Sequence, residues 1–351
     1  MDMGTPRNKV QPTLALALVI FLQPCLPYLQ VDAVVHHGSV SLRSQQAALL
    51  HWKSAMGRPR ALDSWTHQTS PCNWTGIECD VVRHGHRRPL AVTSISLPHA
   101  EIKGPLSALN FSALPFLTYL DLSYNSLNGK IPPAITSLYG LSYLDLTGNL
   151  LHGPIPSDIG NLRRLNQYLG LSFNNLTGHI PASFGNLTML VDFAIHQNMI
   201  TRPIPEELGK LTNLEYFEIS STMITGGIPE SLGNLTKLNL LYLHSNHLSG
   251  PIPPSLGNLR GLGDLQLANN GLSGGIPIAL ANLTRLNTLY LPENELSGVV
   301  PQEIGMLRNL SELVLSTNQL SGSIPSSLGN LTRLNLLELS ENQFVGSIDP
   351  T

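Results

Sequence analysis

Tyrosines and carboxylates recur in this sequence in short pairs set between leucines. The pairs are Tyr119 and Asp121, Tyr143 and Asp145, Tyr168 and Gly170, Asp192 and Ala194, Tyr216 and Glu218, Leu240 and Tyr242, Asp264 and Gln266, Thr288 and Tyr290, Glu312 and Val314, and Leu336 and Glu338. Six of the nine tyrosines and seven carboxylates fall at these positions, and no lysine or arginine does. Tyrosine offers a large, rigid contact area with a polar tip. Carboxylates pair with the cations of a partner and steer its approach. His196 and His244 stand at the next outward position and could make such a contact sensitive to mildly acidic pH. The chemistry implied is recognition of a cationic or polar extended peptide. Paired carboxylates such as Asp121 and Asp145 can also suggest glycoside hydrolysis. On a regular face with no pocket to exclude water, neither would gain the raised pKa of a general acid, so no catalytic residue is expected.

What must position these side chains is a repeat. Leucine registers begin at Leu117, Leu141, Leu165, Leu190, Leu214, Leu238, Leu262, Leu286, Leu310 and Leu334, and most steps are 24 residues. One unit reads Leu-x-x-Leu-x-Leu-x-x-Asn-x-Leu-x-Gly-x-Ile-Pro-x-x-Leu-Gly-Asn-Leu. A period of this length signifies a solenoid. Leu-x-x-Leu-x-Leu alternates with period two, so it predicts a half-buried strand with leucines inward and the pairs above outward. The Asn at 125, 149, 174, 198, 246, 270, 294, 318 and 342 can donate to and accept from the turning backbone. Thr222 replaces it in one unit and Ala100 in the first, where this ladder should be weaker. The unit from Leu165 to Leu190 carries one extra residue, expected near Leu169-Gly170-Leu171 as a bulge or a lengthened loop.

The ends carry other signals. Arg7 and Lys9 precede a short apolar run, Leu14 to Leu22, and Val31-Asp32-Ala33 offers small-residue cleavage chemistry, so residues 1–33 read as a secretory signal. Cys72 and Cys79 then form an even pair, expected to be disulfide-bonded in an oxidising compartment. Two thiolates without two further ligands at suitable spacing do not make a zinc site, and neither metal nor cofactor is expected. Residues 34–91, with Trp52, Trp65 and Trp74 and a short helix from Ala47 to Trp52, should cap the solenoid. Residues 92–351 hold ten complete repeats and an incomplete eleventh, in which Leu334, Leu337, Leu339 and Phe344 lack a covering unit. The net charge of −3 and the single basic run, Arg83 to Arg88, argue against nucleic acid. No stretch reaches the roughly 20 apolar residues of a membrane helix.

The segments Leu50-His51-Trp52-Lys53, Leu62-Asp63-Ser64-Trp65 and Pro71-Cys72-Asn73-Trp74-Thr75-Gly76-Ile77-Glu78-Cys79, with the Leu-x-Gly-x-Ile-Pro units, resemble the N-terminal cap and repeats of plant leucine-rich-repeat receptor-like kinases. The fold class expected is an α/β repeat: a right-handed leucine-rich-repeat solenoid with a parallel concave sheet and an N-terminal disulfide cap. The resemblance implies an extracellular ectodomain that senses a peptide or protein ligand, with a membrane-bound co-receptor as a further partner. Kinase activity does not carry over, because the nucleotide-loop, His-Arg-Asp and Asp-Phe-Gly motifs are absent from this sequence. Some members read a peptide carboxylate with paired arginines on the concave face, and this chain has none there. A second expectation is a secreted inhibitor of a pathogen cell-wall hydrolase, similar to polygalacturonase-inhibiting proteins, which have cysteine-paired caps at both ends.

Asn-x-Ser/Thr occurs at Asn73, Asn110, Asn175, Asn186, Asn234, Asn282, Asn309 and Asn330. Asn186, Asn234, Asn282 and Asn330 stand 48 residues apart, at one site in alternate units. Glycans there would shield one outer line and leave the concave face or a lateral edge to a partner.

Overall fold

A computed structural model describes residues 41–346. The signal segment expected at 1–33 lies outside the described residues. Helix α1 (Leu42–Ala55) begins at Ser41, whose hydroxyl accepts the Ser44 N–H at 3.1 Å. It is longer than the segment expected and buries Gln45, Leu49 and Trp52. Trp65 stacks between Trp52 and Trp74, with centroids at 6.1 and 5.2 Å. The indole N–H of Trp65 donates to the Thr75 carbonyl at 3.0 Å. The Cys72–Cys79 disulfide closes the segment that leads into strand β1 (Ile77–Val81). Strand β1 runs antiparallel to β2 (Leu90–Ser96), and the buried Gln45 side chain accepts the Val92 N–H at 2.7 Å. The cap is thus tied into the first repeat by sheet pairing and a buried hydrogen bond. Arg83 to Arg88 form the exposed turn between these strands.

From β2 onward every strand of the main sheet is parallel, so eleven repeat strands follow β1 in one sheet of twelve. The inward residues form one continuous apolar core. Leu120, Leu144, Leu169, Phe193, Phe217, Leu241, Leu265, Leu289 and Leu313 are all at most 1% exposed. Leu337, in the last strand of the main sheet, is 45% exposed, because no repeat packs over it among the described residues.

The Asn ladder locks successive turns. Asn149 donates to the carbonyls of Leu122, Leu146 and Thr147 at 3.0, 3.0 and 3.2 Å and accepts the Leu127 N–H at 2.9 Å. The residue before each ladder position is often left-handed, as at Tyr124, Phe173 and Gln197, with φ of 52°, 53° and 52°. Such conformations disfavour side-chain residues, and the Asn bonds to the surrounding carbonyls hold them. At Thr222 the ladder breaks. The Thr222 hydroxyl donates to Asn246 Oδ1 at 2.5 Å, and no side chain receives the Ile200 N–H. A second set of short parallel strands, not expected from the sequence, follows the ladder in each unit. It splits into sheets of five and six strands between Met199–Ile200 and Thr225–Gly226, beside Thr222.

The irregular unit is resolved by the pairing. Tyr168, Leu169 and Gly170 pair in unbroken register with Tyr143, Leu144 and Asp145. The extra residue is instead taken up before the strand, where the N–H groups of Asn166 and Gln167 both donate to the Ser142 carbonyl at 3.2 and 3.1 Å. It is a lengthened loop and not a bulge, because a bulge would have turned Tyr168 and Gly170 to the wrong face.

Candidate ligand face

Each outward pair contributes one residue to each of two columns across the concave sheet. The first column runs Tyr119, Tyr143, Tyr168, Asp192, Tyr216, Leu240, Asp264, Thr288, Glu312, Leu336. Parallel strands lie about 4.8 Å apart, which brings equivalent rings into contact. Tyr119 and Tyr143 stack at 4.3 Å with planes 11° apart, and Tyr143 and Tyr168 lie at 5.4 Å. Burial raises the pKa of all three phenols, reinforced by neighbouring carboxylates, so they remain hydrogen-bond donors through neutral pH.

The carboxylates separate into two groups. Asp121 and Asp145 are only 8% and 9% exposed. Asp121 accepts the Ser123 N–H and hydroxyl at 3.0 and 2.7 Å, and Asp145 accepts the Thr147 N–H at 2.8 Å. They lie at the base of the tyrosine ladder rather than open to solvent. Burial raises the Asp145 pKa, partly offset by the hydrogen bond from the Thr147 backbone N–H. Asp192, Glu218, Asp264 and Glu312 are half-buried. Burial, then Glu218 and Asp145, push Asp192 up to about 6. Asp264 is also raised, chiefly by burial, while it accepts the Tyr242 hydroxyl at 2.6 Å and the Gln266 amide at 3.3 Å.

His196 does face this surface. Its Nδ1 lies 3.2 Å from Glu218 Oε2 and 2.9 Å from Ser172 Oγ. Burial opposes ionisation of Glu218, but His196 and the Ser220 hydroxyl, at 2.9 Å, outweigh it and lower its pKa. His244 stands one repeat beyond its neighbour Ser220, near Tyr242 at 6.0 Å between centroids, and burial lowers its pKa. This His–Glu contact is the one ion pair among the described residues, so the face has no lysine or arginine as counter-charge. Tyr216 is 40% exposed and Tyr290 half-buried beside Glu312. Two residues that matter here are not marked by charge or aromaticity: Gly170, recognisable only as a gap in its column, and Thr147, which stands at the outward position that His196 and His244 occupy in later repeats.

The sequons lie away from this face. Asn186, Asn234, Asn282 and Asn330 are exposed at the ends of equivalent 3₁₀ segments, and Asn73, Asn110 and Asn175 are exposed elsewhere. Asn309 differs. Its Nδ2 donates to the Thr284 carbonyl at 2.8 Å and its Oδ1 accepts from Arg333 at 2.9 Å. A glycan replaces one Nδ2 hydrogen and crowds the side chain that both bonds hold in place. On expression through a eukaryotic secretory route, glycopeptide mass spectrometry should find glycans on the exposed asparagines and Asn309 largely bare. Equal occupancy at Asn309 would contradict this.

The comparisons agree with this architecture. A leucine-rich-repeat N-terminal domain matches residues 42–80, a leucine-rich repeat region residues 92–249 and a leucine-rich repeat residues 309–331. The chain is a leucine-rich-repeat protein. It is homologous to the ectodomains of plant leucine-rich-repeat receptor kinases. The LRR receptor-like serine/threonine-protein kinase RGI3 of Arabidopsis thaliana is 39% identical over 97 residues, 27% of this chain and 8% of that kinase. A polygalacturonase inhibitor of Vitis vinifera is 33% identical over 91 residues, 26% of this chain and 25% of the inhibitor. Among solved structures, PEPR1–AtPEP1 matches with a TM-score of 0.75 at 35% identity, over 88% of this chain and 46% of that one. The Arabidopsis receptor kinase HAESA, in complex with the peptide hormone IDA and the co-receptor SERK1, matches at 0.75 and 34%, over 86% and 50%. This chain therefore spans about half of those ectodomains and a small part of the matched kinases. A plant ice-binding protein also matches, at 0.69 and 26%, over 88% of this chain and 99% of that one. The solenoid alone thus does not fix function, which rests on the exposed residues. Among the described residues, no helix is long and apolar enough to cross a membrane.

Proposed function

We propose that this chain is an extracellular sensing module that holds an extended peptide along its concave face, without catalysis of its own. The observation that carries the reading is the concave sheet itself: an in-register tyrosine ladder and seven carboxylates, with no lysine or arginine among them. Unlike the consensus core, both columns change from repeat to repeat, as a surface that reads a sequence must. The solved PEPR1–AtPEP1 and HAESA–IDA complexes support it by fold and identity. Secretion follows from the signal segment expected at 1–33. A membrane-bound co-receptor is a further partner on the same reading, supported by the presence of SERK1 in the HAESA complex.

The test selects ligands from a displayed library of random 12-residue peptides on the purified chain. The double variant Tyr216→Ala/Tyr242→Ala should weaken the selected peptides about 100-fold, the scale of losing two aromatic anchors. Its circular dichroism should be unchanged, since the side chains point away from the core. Equal binding by the double variant would remove the concave face from consideration. The match to a polygalacturonase inhibitor supports a second reading, inhibition of a cell-wall hydrolase. Inhibition of a fungal polygalacturonase by the purified chain, unaffected by the tyrosine substitutions, would favour it.

A further inference from the structure

The second outward column is broken by two adjacent small residues. Gly170 and Ala194 pair side by side, flanked along the column by Asp145 on one strand and Glu218 on the other. Asp192 stands beside them in the first column, between Tyr168 and Tyr216. Three carboxylates therefore border a floor of glycine and alanine. His196 pairs with Glu218, and neither Asp145 nor Asp192 has a cationic partner among the described residues.

The space above Gly170 is where several groups converge. A Cβ placed on Gly170 would lie 2.3 Å from Tyr168 Cε1, 2.6 Å from Asp145 Oδ1 and 2.7 Å from Thr147 Oγ1. Those distances are too short for any side chain, so glycine is what lets the Tyr168 ring lean in and the two oxygens approach. Thr147 is 5% exposed, and its hydroxyl, directed at the same point, makes no hydrogen bond. A buried hydroxyl in that state favours any donor or acceptor that reaches it.

We propose that this cluster, which the Tyr168 ring covers in the free chain, is a subsite for an arginine side chain of the bound peptide. Asp145 and Asp192 accept the guanidinium N–H groups, Thr147 accepts one more, and the Tyr168 ring swings aside to stack on the guanidinium plane. Arginine fits better than lysine, because a planar fork can bridge two carboxylates and stack on a ring at once. The inference rests on the concave-face reading and adds to it the residue type recognised and its place.

The probe is acetyl-Gly-Gly-Arg-Gly-Gly-amide, compared with its citrulline counterpart, which keeps the shape and loses the charge. Titrations of the full chain carrying ¹³C-labelled tyrosine rings should show saturable shifts of the Tyr168 resonance with the arginine peptide. The citrulline peptide should need at least about tenfold more for the same shift. Asp192→Asn and Gly170→Ala should each weaken the arginine peptide about tenfold or more. Thr147→Val separates recognition from structure: removing an unpaired hydroxyl should leave thermal stability unchanged or higher, while the arginine peptide binds several-fold less tightly. Should Gly170→Ala fail to fold, the other two variants decide. Equal responses to both peptides, or unchanged arginine binding in Asp192→Asn and Thr147→Val, would overturn the subsite. If 12-residue ligands lose binding in the Tyr216→Ala/Tyr242→Ala variant while the pentapeptides are not discriminated, the subsite alone falls. If neither peptide class binds the concave face, the wider reading falls with it.

Discussion

Asn149→Ala should lower the stability of the solenoid by about 3–5 kcal/mol, the largest effect expected of any single polar substitution here. Asn149 is 5% exposed and meets four backbone groups from two repeats. Alanine leaves the Leu127 N–H and the carbonyls of Leu122, Leu146 and Thr147 without the amide. An abandoned buried polar group costs about 1–3 kcal/mol, and some of these four retain other partners, so the sum stays below four full penalties. Stability in a repeat array is set by each unit and its neighbours, so the loss should concentrate locally. Hydrogen exchange should show the Leu127 amide and the adjacent turns losing protection before distant repeats do. The natural counterpart is Thr222, where the Ile200 N–H already lacks its side-chain acceptor and the second sheet divides. Thr222→Asn should accordingly stabilise the chain by about 1 kcal/mol. A neutral Asn149→Ala, or a destabilising Thr222→Asn, would show that the ladder is not what joins the turns.

The second expectation concerns pH. Asp192 is held up to about 6, first by burial and then by Glu218 and Asp145. A cationic ligand requires it ionised, so affinity for an arginine-containing peptide should rise through pH 6 and level off above it. Below about pH 6 affinity should fall up to tenfold per pH unit, one proton being taken up as the ligand leaves. The other titratable groups around the cluster do not reverse this sign. Asp145 is also raised, so it protonates in the same direction, while Glu218 is lowered and stays charged. His196, 3.2 Å from Glu218 Oε2, also faces this surface. Tyr168 and Tyr143 are raised and remain neutral. The free protein should behave oppositely. A carboxyl whose pKa is raised on folding contributes stability below its unfolded value of 3.8 and loses that contribution as pH rises through about 6. Asp192→Asn should therefore stabilise the free chain at pH 7.5 by about 1 kcal/mol, after allowance for partial solvent screening, and by little at pH 4. The same variant should flatten the pH dependence of binding. Thermal scans and peptide titrations at pH 4, 5.5 and 7.5 measure both. A flat profile for the parent chain would refute this role for Asp192.

The repeat determines most of this protein from sequence alone. Period, strand alternation and ladder asparagines act locally, each unit resting on the next by the same contacts, so the outward identity of Tyr119, Tyr143, Tyr168, Tyr216 and Tyr242 follows from counting. The cap is equally readable, since Cys72 and Cys79 and the three tryptophans leave few alternatives for a short segment that must cover one end of a core. Three features were decided only in three dimensions. The extra residue before Tyr168 could be absorbed in the strand or the loop, and the hydrogen bonds of Asn166 and Gln167 to Ser142 placed it in the loop. Asp121 and Asp145 occupy outward positions yet are buried, each turned onto the backbone N–H two residues on, and alternation alone does not show that depth. The convergence of Tyr168, Asp145 and Thr147 above Gly170 depends on atoms from two strands meeting at one point. Periodicity fixes which face a residue occupies. How deep it sits there, and what it touches, is a property of the packed columns.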